Sequence, residues 1–214
     1  MQLHTETYLT QISNLPTKGR HILAQFDEDS VIVTQAYRPE IGNFAASNGY
    51  FGGDFKLTRM SWIKTNFLWM MYRSGWGTKA GQEITLAVTI KRNAFEEILA
   101  KAVHSKFIPT VYKSPEEWKK AVKRSPVRLQ WDPDRNPIGE KLERRAIQLG
   151  LSGETLRNYS RDWIIKIEDI TEFVKEQRSY RERSRWTNLI TPREDVYPVE
   201  NSEIIKKLAL SIPD

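Results

Sequence analysis

The sequence predicts an α+β fold, a single domain in which a mixed, mainly antiparallel sheet carries flanking helices. Three observations lead there. About six segments have strand patterning and five or six carry helix start and stop signals. The two kinds follow one another without the strand–helix–strand rhythm of a doubly wound sheet. A length of 214 residues with 39% hydrophobic content suffices for one sizeable core.

Residues 1–18 are polar and close on the breakers Pro16 and, just beyond, Gly19. That predicts a flexible N-terminal arm ahead of a domain over 19–214. Two strands follow, 22–26 and 31–37, and Asp27-Glu28-Asp29-Ser30 between them predicts a hairpin. Pro39 sits at a first helical turn and opens a helix to Ser47, which Asn48-Gly49 stops in the left-handed conformation. Residues 50–82 are mixed. Gly52-Gly53 marks a turn, 62–72 is apolar and aromatic, and 73–79 is a glycine-rich loop. The run EITLAVTIK, 83–91, alternates and is β-branched, so it predicts a strand. Asn93 is placed to cap a helix over 94–103.

Ser114-Pro115-Glu116-Glu117 has the N-cap, first-turn proline and capping-box glutamate of a helix start, and that helix runs to about Lys123. Val127 to Trp131 predicts a strand ended by Asp132-Pro133-Asp134, and Arg144 to Leu151 another. Ser152 then caps a helix over 154–160. A strand spans 163–167, Asp169 caps a helix over 170–183, and a last helix covers 202–210.

Composition narrows the chemistry. The chain has no cysteine, which removes disulfides, thiolate catalysis and cysteine zinc sites together. No apolar run approaches the ~18 residues of a membrane span, and MQLHTETYLTQ is no secretory signal. A cytoplasmic protein without a membrane partner is expected. His4, His21 and His104 have no histidine partner at i+3 or i+4, so there is no paired-histidine metal motif. The P-loop pattern, the dinucleotide GxGxxG and the GxSxG elbow are all absent.

Charge is uneven. The formal net charge is +6. Residues 56–145 carry 19 Lys and Arg against 9 Asp and Glu, while the flanking segments are slightly acidic. Five of the seven tryptophans lie in that same middle segment. Cations interleaved with flat aromatics suit a phosphate-bearing ligand with a base to stack. The densest stretch is FKLTRMSWIKTNFLWMMYRSGWGTKAGQE, 55–83, with Lys56, Arg59, Lys64, Arg73 and Lys79 among Trp62, Trp69, Tyr72 and Trp76. The same pattern also describes core tryptophans under a solvated cationic rim. Asp132 and Asp134 read as turn residues before they read as Mg²⁺ ligands. The isolated acids Glu83 and Glu194 are candidate general bases or ribose partners.

The run 55–83, together with 114–118, PVRLQWDP at 126–133 and AIQLGL at 146–151, resembles an uncharacterised bacterial and fungal family, the domain of unknown function 4291. The resemblance covers roughly Gly19 to Tyr197 and implies no activity. A weaker likeness is to ADP-ribosyltransferase-type folds. It implies NAD as cofactor, with Gln35 on an early strand, Tyr72 or Ser74 next, and Glu194 on a late strand. Gln35 stands where such folds carry His or Arg.

These readings join in a protein that handles a nucleotide or a nucleic-acid phosphate. Lys56, Arg59, Lys64, Arg73 and Lys79 hold phosphate, and Trp76 and Tyr72 stack on a base. Gln82, Arg128, Gln130 and Gln148 are polar readers on nearby strands. As an enzyme it performs group transfer with Glu83 or Glu194 as acid or base. The alternatives are a non-catalytic RNA- or DNA-binding module and an interaction protein whose tryptophans are all core.

Overall fold

The computed structural model describes residues 1–211. Its first half contains β1 (Thr5–Thr7), α1 (Tyr8–Asn14), β2 (Gly19–Arg20), β3 (Leu23–Ala24), β4 (Ser30–Tyr37), α2 (Pro39–Asn48), β5 (Ser61–Lys64), α3 (Phe67–Ser74), β6 (Ile84–Lys91) and α4 (Arg92–Lys101). The second half contains β7 (Ala102–His104), α5 (Pro115–Arg124), β8 (Val127–Arg135), β9 (Lys141–Leu151), α6 (Gly153–Ser160), β10 (Ile164–Asp169), α7 (Thr171–Arg178), β11 (Ile190–Pro192), β12 (Asp195–Val196) and α8 (Ser202–Leu208). The main sheet runs β10-β6-β4-β5-β9-β8-β7, antiparallel except at β7–β8, with β2 added in parallel to β9. This is the α+β single-domain fold the patterning predicts.

Strand alternation builds two cores on the two faces of the sheet. On β4, Val31 and Val33 join one cluster and Ile32 the other. On β6, Leu86, Val88 and Ile90 point one way and Ala87 the other. Period-2 burial on both faces needs near-continuous apolar strands, and ITLAVTI supplies one. Helix α4 covers the first face through Phe95, Ile98 and Leu99. Helices α3 and α7 cover the second through Phe67, Met70, Met71 and Val174.

The expected turn is present, but the two strands do not pair as a hairpin ladder: they share only an isolated bridge, Phe26 opposite Val31. Asp27 Oδ1 accepts from the backbone N–H groups of Asp29 and Ser30, and Ile32 donates to the Gln25 carbonyl. Beyond the turn β3 leaves to pair with β12. Helix α2 ends on Gly49 at φ 74°. Ser114 caps α5 by accepting from the Glu117 N–H.

Several boundaries differ from expectation, four of them with structural consequences. The polar N-terminus is structured: β1 pairs antiparallel with β11, and Tyr8 packs edge-on against Trp186. The β11 partners lie over 180 residues away, so no local pattern announces them. Strand β8 continues through Pro133, with a register irregularity before Arg135, because Asp134 is wholly buried against Arg144. Helix α4 starts at Arg92, ahead of Asn93, and stops at Lys101, leaving His104 on β7. Helix α7 stops at Arg178. The basic run beyond it turns away, with one 3-10 turn at Arg183–Arg185, having little apolar surface to keep it helical.

Candidate functional site

Strands β4 and β5 meet at a single residue pair, Thr34 opposite Lys64, and then diverge. A cavity of about 450 Å³ opens at that fork. Three strands contribute to its polar row, because the register places Lys64 beside Gln148 and Gln148 beside Gln130. Cross-strand partners share a face, so Lys64, Gln148 and Gln130 project together toward the α3 side. Helix α3 adds Met70 and Arg73, the loop before β5 adds Arg59 and Met60, and the loop before β6 adds Gln82. Among the described residues no carboxylate lines the cavity.

The fork is braced by side chains where backbone pairing is lost. Gln35 is 2% exposed. Its Nε2 lies 2.7 Å from Tyr37 Oη and 3.1 Å from both Ser61 Oγ and the Trp62 carbonyl. Its Oε1 accepts from Tyr159 Oη at 2.6 Å. The amide therefore bridges β4 to β5 and to α6. Burial pushes the Tyr37 and Tyr159 phenols above their ordinary value, so both stay neutral, Tyr37 accepting from Gln35 and Tyr159 donating to it.

Gln130 and Gln148 are held from behind. Gln130 Nε2 donates to Asp132 Oδ1 at 2.9 Å and Gln148 Nε2 donates to Asp132 Oδ2 at 2.6 Å. The carboxylate thereby fixes both amides with their oxygens free to accept. Asp132 and Asp134 are separate in role: the first serves this row, and the second is the buried partner of Arg144.

Lys64 is the unusual member. It is 8% exposed, its Nζ donates to the Trp62 carbonyl at 3.2 Å, and it lies 5.7 Å from the centre of the Trp69 ring. Among the described residues it has no salt bridge. Its ammonium is lowered to about 8, chiefly by burial and secondarily by the Arg73 charge, with Asp132 pulling partly the other way.

A second cavity of about 370 Å³ adjoins the first and shares Tyr37, Arg59, Met60 and Ser61 with it. It adds Lys56 and Arg38, the latter paired with Asp54 at 2.5 Å.

The structure thus brings Gln35, Arg59, Lys64, Arg73, Gln82, Gln130 and Gln148 to one hollow, with Lys56 in the adjoining one. The other expected site residues lie elsewhere. Trp76 is buried, its indole N–H donating to the Pro137 carbonyl. Its φ of 58° follows the left-handed turn that ends α3, and the ring packs in the core, away from the fork, lining with Tyr72 a separate cavity of about 230 Å³. Tyr72 faces outward from α3 at 42% exposure, under the Arg135 guanidinium 3.9 Å away. Lys79 Nζ closes the end of α3 on the Arg73 carbonyl at 2.7 Å. The Arg128 guanidinium is consumed by the Ser125 and Val122 carbonyls at the end of α5. Glu83 Oε1 accepts from the Gly81 N–H at 2.8 Å and shapes the loop entering β6.

Glu194 is 4% exposed and caps α3: Oε1 accepts from the Phe67 N–H at 2.6 Å and Oε2 from Asn66 Nδ2 at 3.1 Å. Asn66 in turn accepts from the Trp69 N–H. This double cap orders the helix start from 127 residues away. Glu194, Tyr72 and Ser74 are all absent from the lining that includes Gln35, so these residues do not come together as expected of an ADP-ribosyltransferase-type site.

Tyr37, Ser61 and Asp132 belong to the site without having been singled out for it. Ser61-Trp62-Ile63-Lys64 spells an SxxK spacing, a signal in plain view. In serine hydrolases that motif needs the two side chains close. On a strand, three residues span ~10 Å, and Ser61 Oγ is engaged by Tyr37 Oη at 2.7 Å. The spacing marks the cavity but builds no serine–lysine pair.

Among the described residues no helix is long and apolar enough to cross a membrane, and no group of three or more His, Asp or Glu could hold a metal ion. The model of a domain of unknown function, DUF4291, matches residues 21–197. The chain belongs to that family. No curated protein matches it.

Proposed function

We propose that this member of the DUF4291 family binds a phosphate-bearing nucleotide, free or at the end of a nucleic acid, in the cavity at the β4–β5 fork. One observation carries the reading: Arg59, Lys64 and Arg73 converge on a hollow of about 450 Å³ that, among the described residues, no carboxylate lines. Unneutralised cations in a concave site attract anions, and arginine's planar fork takes two phosphate oxygens at once. The fixed amides of Gln130 and Gln148 offer oxygens to a base or ribose, and Trp62 offers an indole at the wall. The adjoining cavity, with Lys56 and Arg38, favours a ligand longer than one phosphate.

A thermal-shift series with nucleotides and short oligonucleotides tests this. Ligand that binds only the folded chain raises the melting temperature. The Arg59→Ala and Arg73→Ala variants should lose the shift while melting alone like the wild type. No shift with any nucleotide or oligonucleotide refutes it.

The non-catalytic nucleic-acid module is the second reading, favoured by the second cationic cavity. It differs in predicting that affinity for a single-stranded oligonucleotide falls steeply with salt and needs no free nucleotide.

A further inference from the structure

We propose that Lys64 is the catalytic nucleophile of this site, its Nζ attacking the α-phosphorus of a bound nucleoside triphosphate to form a lysyl–nucleotide phosphoramidate. The proposal rests on the nucleotide reading of the cavity and gives it a reaction.

Three geometric facts single out this side chain. Of the three cations on the cavity, Lys64 alone is buried, while Arg59 and Arg73 are exposed. A guanidinium does not give up its proton in a protein, whereas an amine can. Lys64 also lacks the carboxylate partner that would keep a buried ammonium charged, and its one hydrogen bond goes to the Trp62 carbonyl. That leaves donors of Nζ unused at the inner end of a ligand-sized hollow. Finally, Lys64 lines the first cavity and not the second, while Arg59 lines both. An amine at one end and cations beyond Arg59 at the other suit displacement of a polyphosphate tail. Arg73 beside the amine favours its neutral form, as neighbouring cations do for other nucleophilic lysines.

The step balances within this set. The neutral amine forms the N–P bond. The P–O bond to the β-phosphate breaks, and pyrophosphate leaves with the electron pair. The proton released from nitrogen passes to solvent water in the open cavity. The Arg59 and Lys56 charges offset those of the departing pyrophosphate. Nothing is oxidised or reduced.

The test uses the full chain with magnesium and each of the four common ribonucleoside triphosphates, radiolabelled at the α-phosphate. After denaturation, one of them should leave label on the protein. That label should survive alkali, be lost in mild acid as a P–N bond is, and be removed by added pyrophosphate. Peptide mapping should place it on Lys64. Labelling should rise with pH through about 8, because the neutral amine attacks. Lys64→Arg and Lys64→Met should abolish it, and their melting curves check that they fold. A role as phosphate ligand alone would let Lys64→Arg bind nucleotide while the wild type leaves no label. If wild type shows a thermal shift with nucleotide but no label with any of the four, the nucleophile is wrong and the binding reading stands. If it shows neither, both fall. Label that persists in Lys64→Met overturns the assignment directly.

Discussion

Replacing Lys64 with methionine should make the protein more stable, and the structure gives the size of the gain. The ammonium has an ordinary value of 10.5 and is lowered to about 8 in the fold. At ~1.4 kcal/mol per unit this corresponds to about 3 kcal/mol of folding free energy forgone while the amine is charged. Methionine conserves the unbranched shape but loses the cation–π contact with Trp69, worth ~0.5–1 kcal/mol. It also loses the bond to the Trp62 carbonyl, worth ~1 kcal/mol. The net gain at pH 7 is ~1–2 kcal/mol, a rise of ~3–6 °C in melting temperature for a chain of this length. The pH signature is more specific than the size. The folded state holds fewer protons than the unfolded chain between about 8 and 10.5, so the stability of the wild type rises through that window relative to the variant. The advantage of Lys64→Met should be full below pH 8 and gone by 10.5. Urea denaturation of both proteins at pH 7, 8, 9 and 10 reads the difference directly, and subtraction removes other titrating groups. A variant less stable at pH 7, or a gap that stays constant to pH 10, refutes the reasoning.

Arg59→Ala and Arg73→Ala should each weaken nucleotide binding about tenfold, the equivalent of ~1.4 kcal/mol, while denaturant midpoints stay within ~0.5 kcal/mol of wild type because both side chains are exposed; calorimetric titration with denaturation checks both. Glu194→Ala should destabilise by ~1–3 kcal/mol by orphaning the Phe67 N–H, with circular dichroism as the readout. Burial raises the Glu194 carboxyl well above its ordinary 4.5, so its contribution is full below that value and is lost as pH rises through the folded value. Glu194→Gln should remove this dependence, seen as wild type losing ground to the variant with rising pH. Asp134→Ala should cost ~3–5 kcal/mol because it strands the buried Arg144 guanidinium, measured by thermal melting.

Much of the site could be read from residue type. Lys64, Gln130 and Gln148 are polar residues inside apolar strand runs, and a polar residue there needs either a partner or a purpose. Arg59 and Arg73 flank the same aromatic stretch. What residue type could not separate is which way each side chain points. Trp76 and Tyr72 sit on either side of the turn that closes α3, yet one indole is sealed in the core and the other ring faces solvent. Glu83 and Glu194 have the chemistry of general bases, but Glu194 caps α3 and one Glu83 oxygen holds the Gly81 N–H.

Local order was written in the chain: the alternation of 84–91, the Ser114 cap and the Gly49 stop rest on interactions within a few residues and formed as their patterns imply. Pairing between distant segments was decided by the fold. Nothing near Thr5 announces β11, nothing near Phe67 announces Glu194, and the single contact between Thr34 and Lys64 that opens the cavity depends on where two strands diverge. Such contacts are selected by the joint burial of surfaces far apart in sequence, so no window of neighbouring residues encodes them.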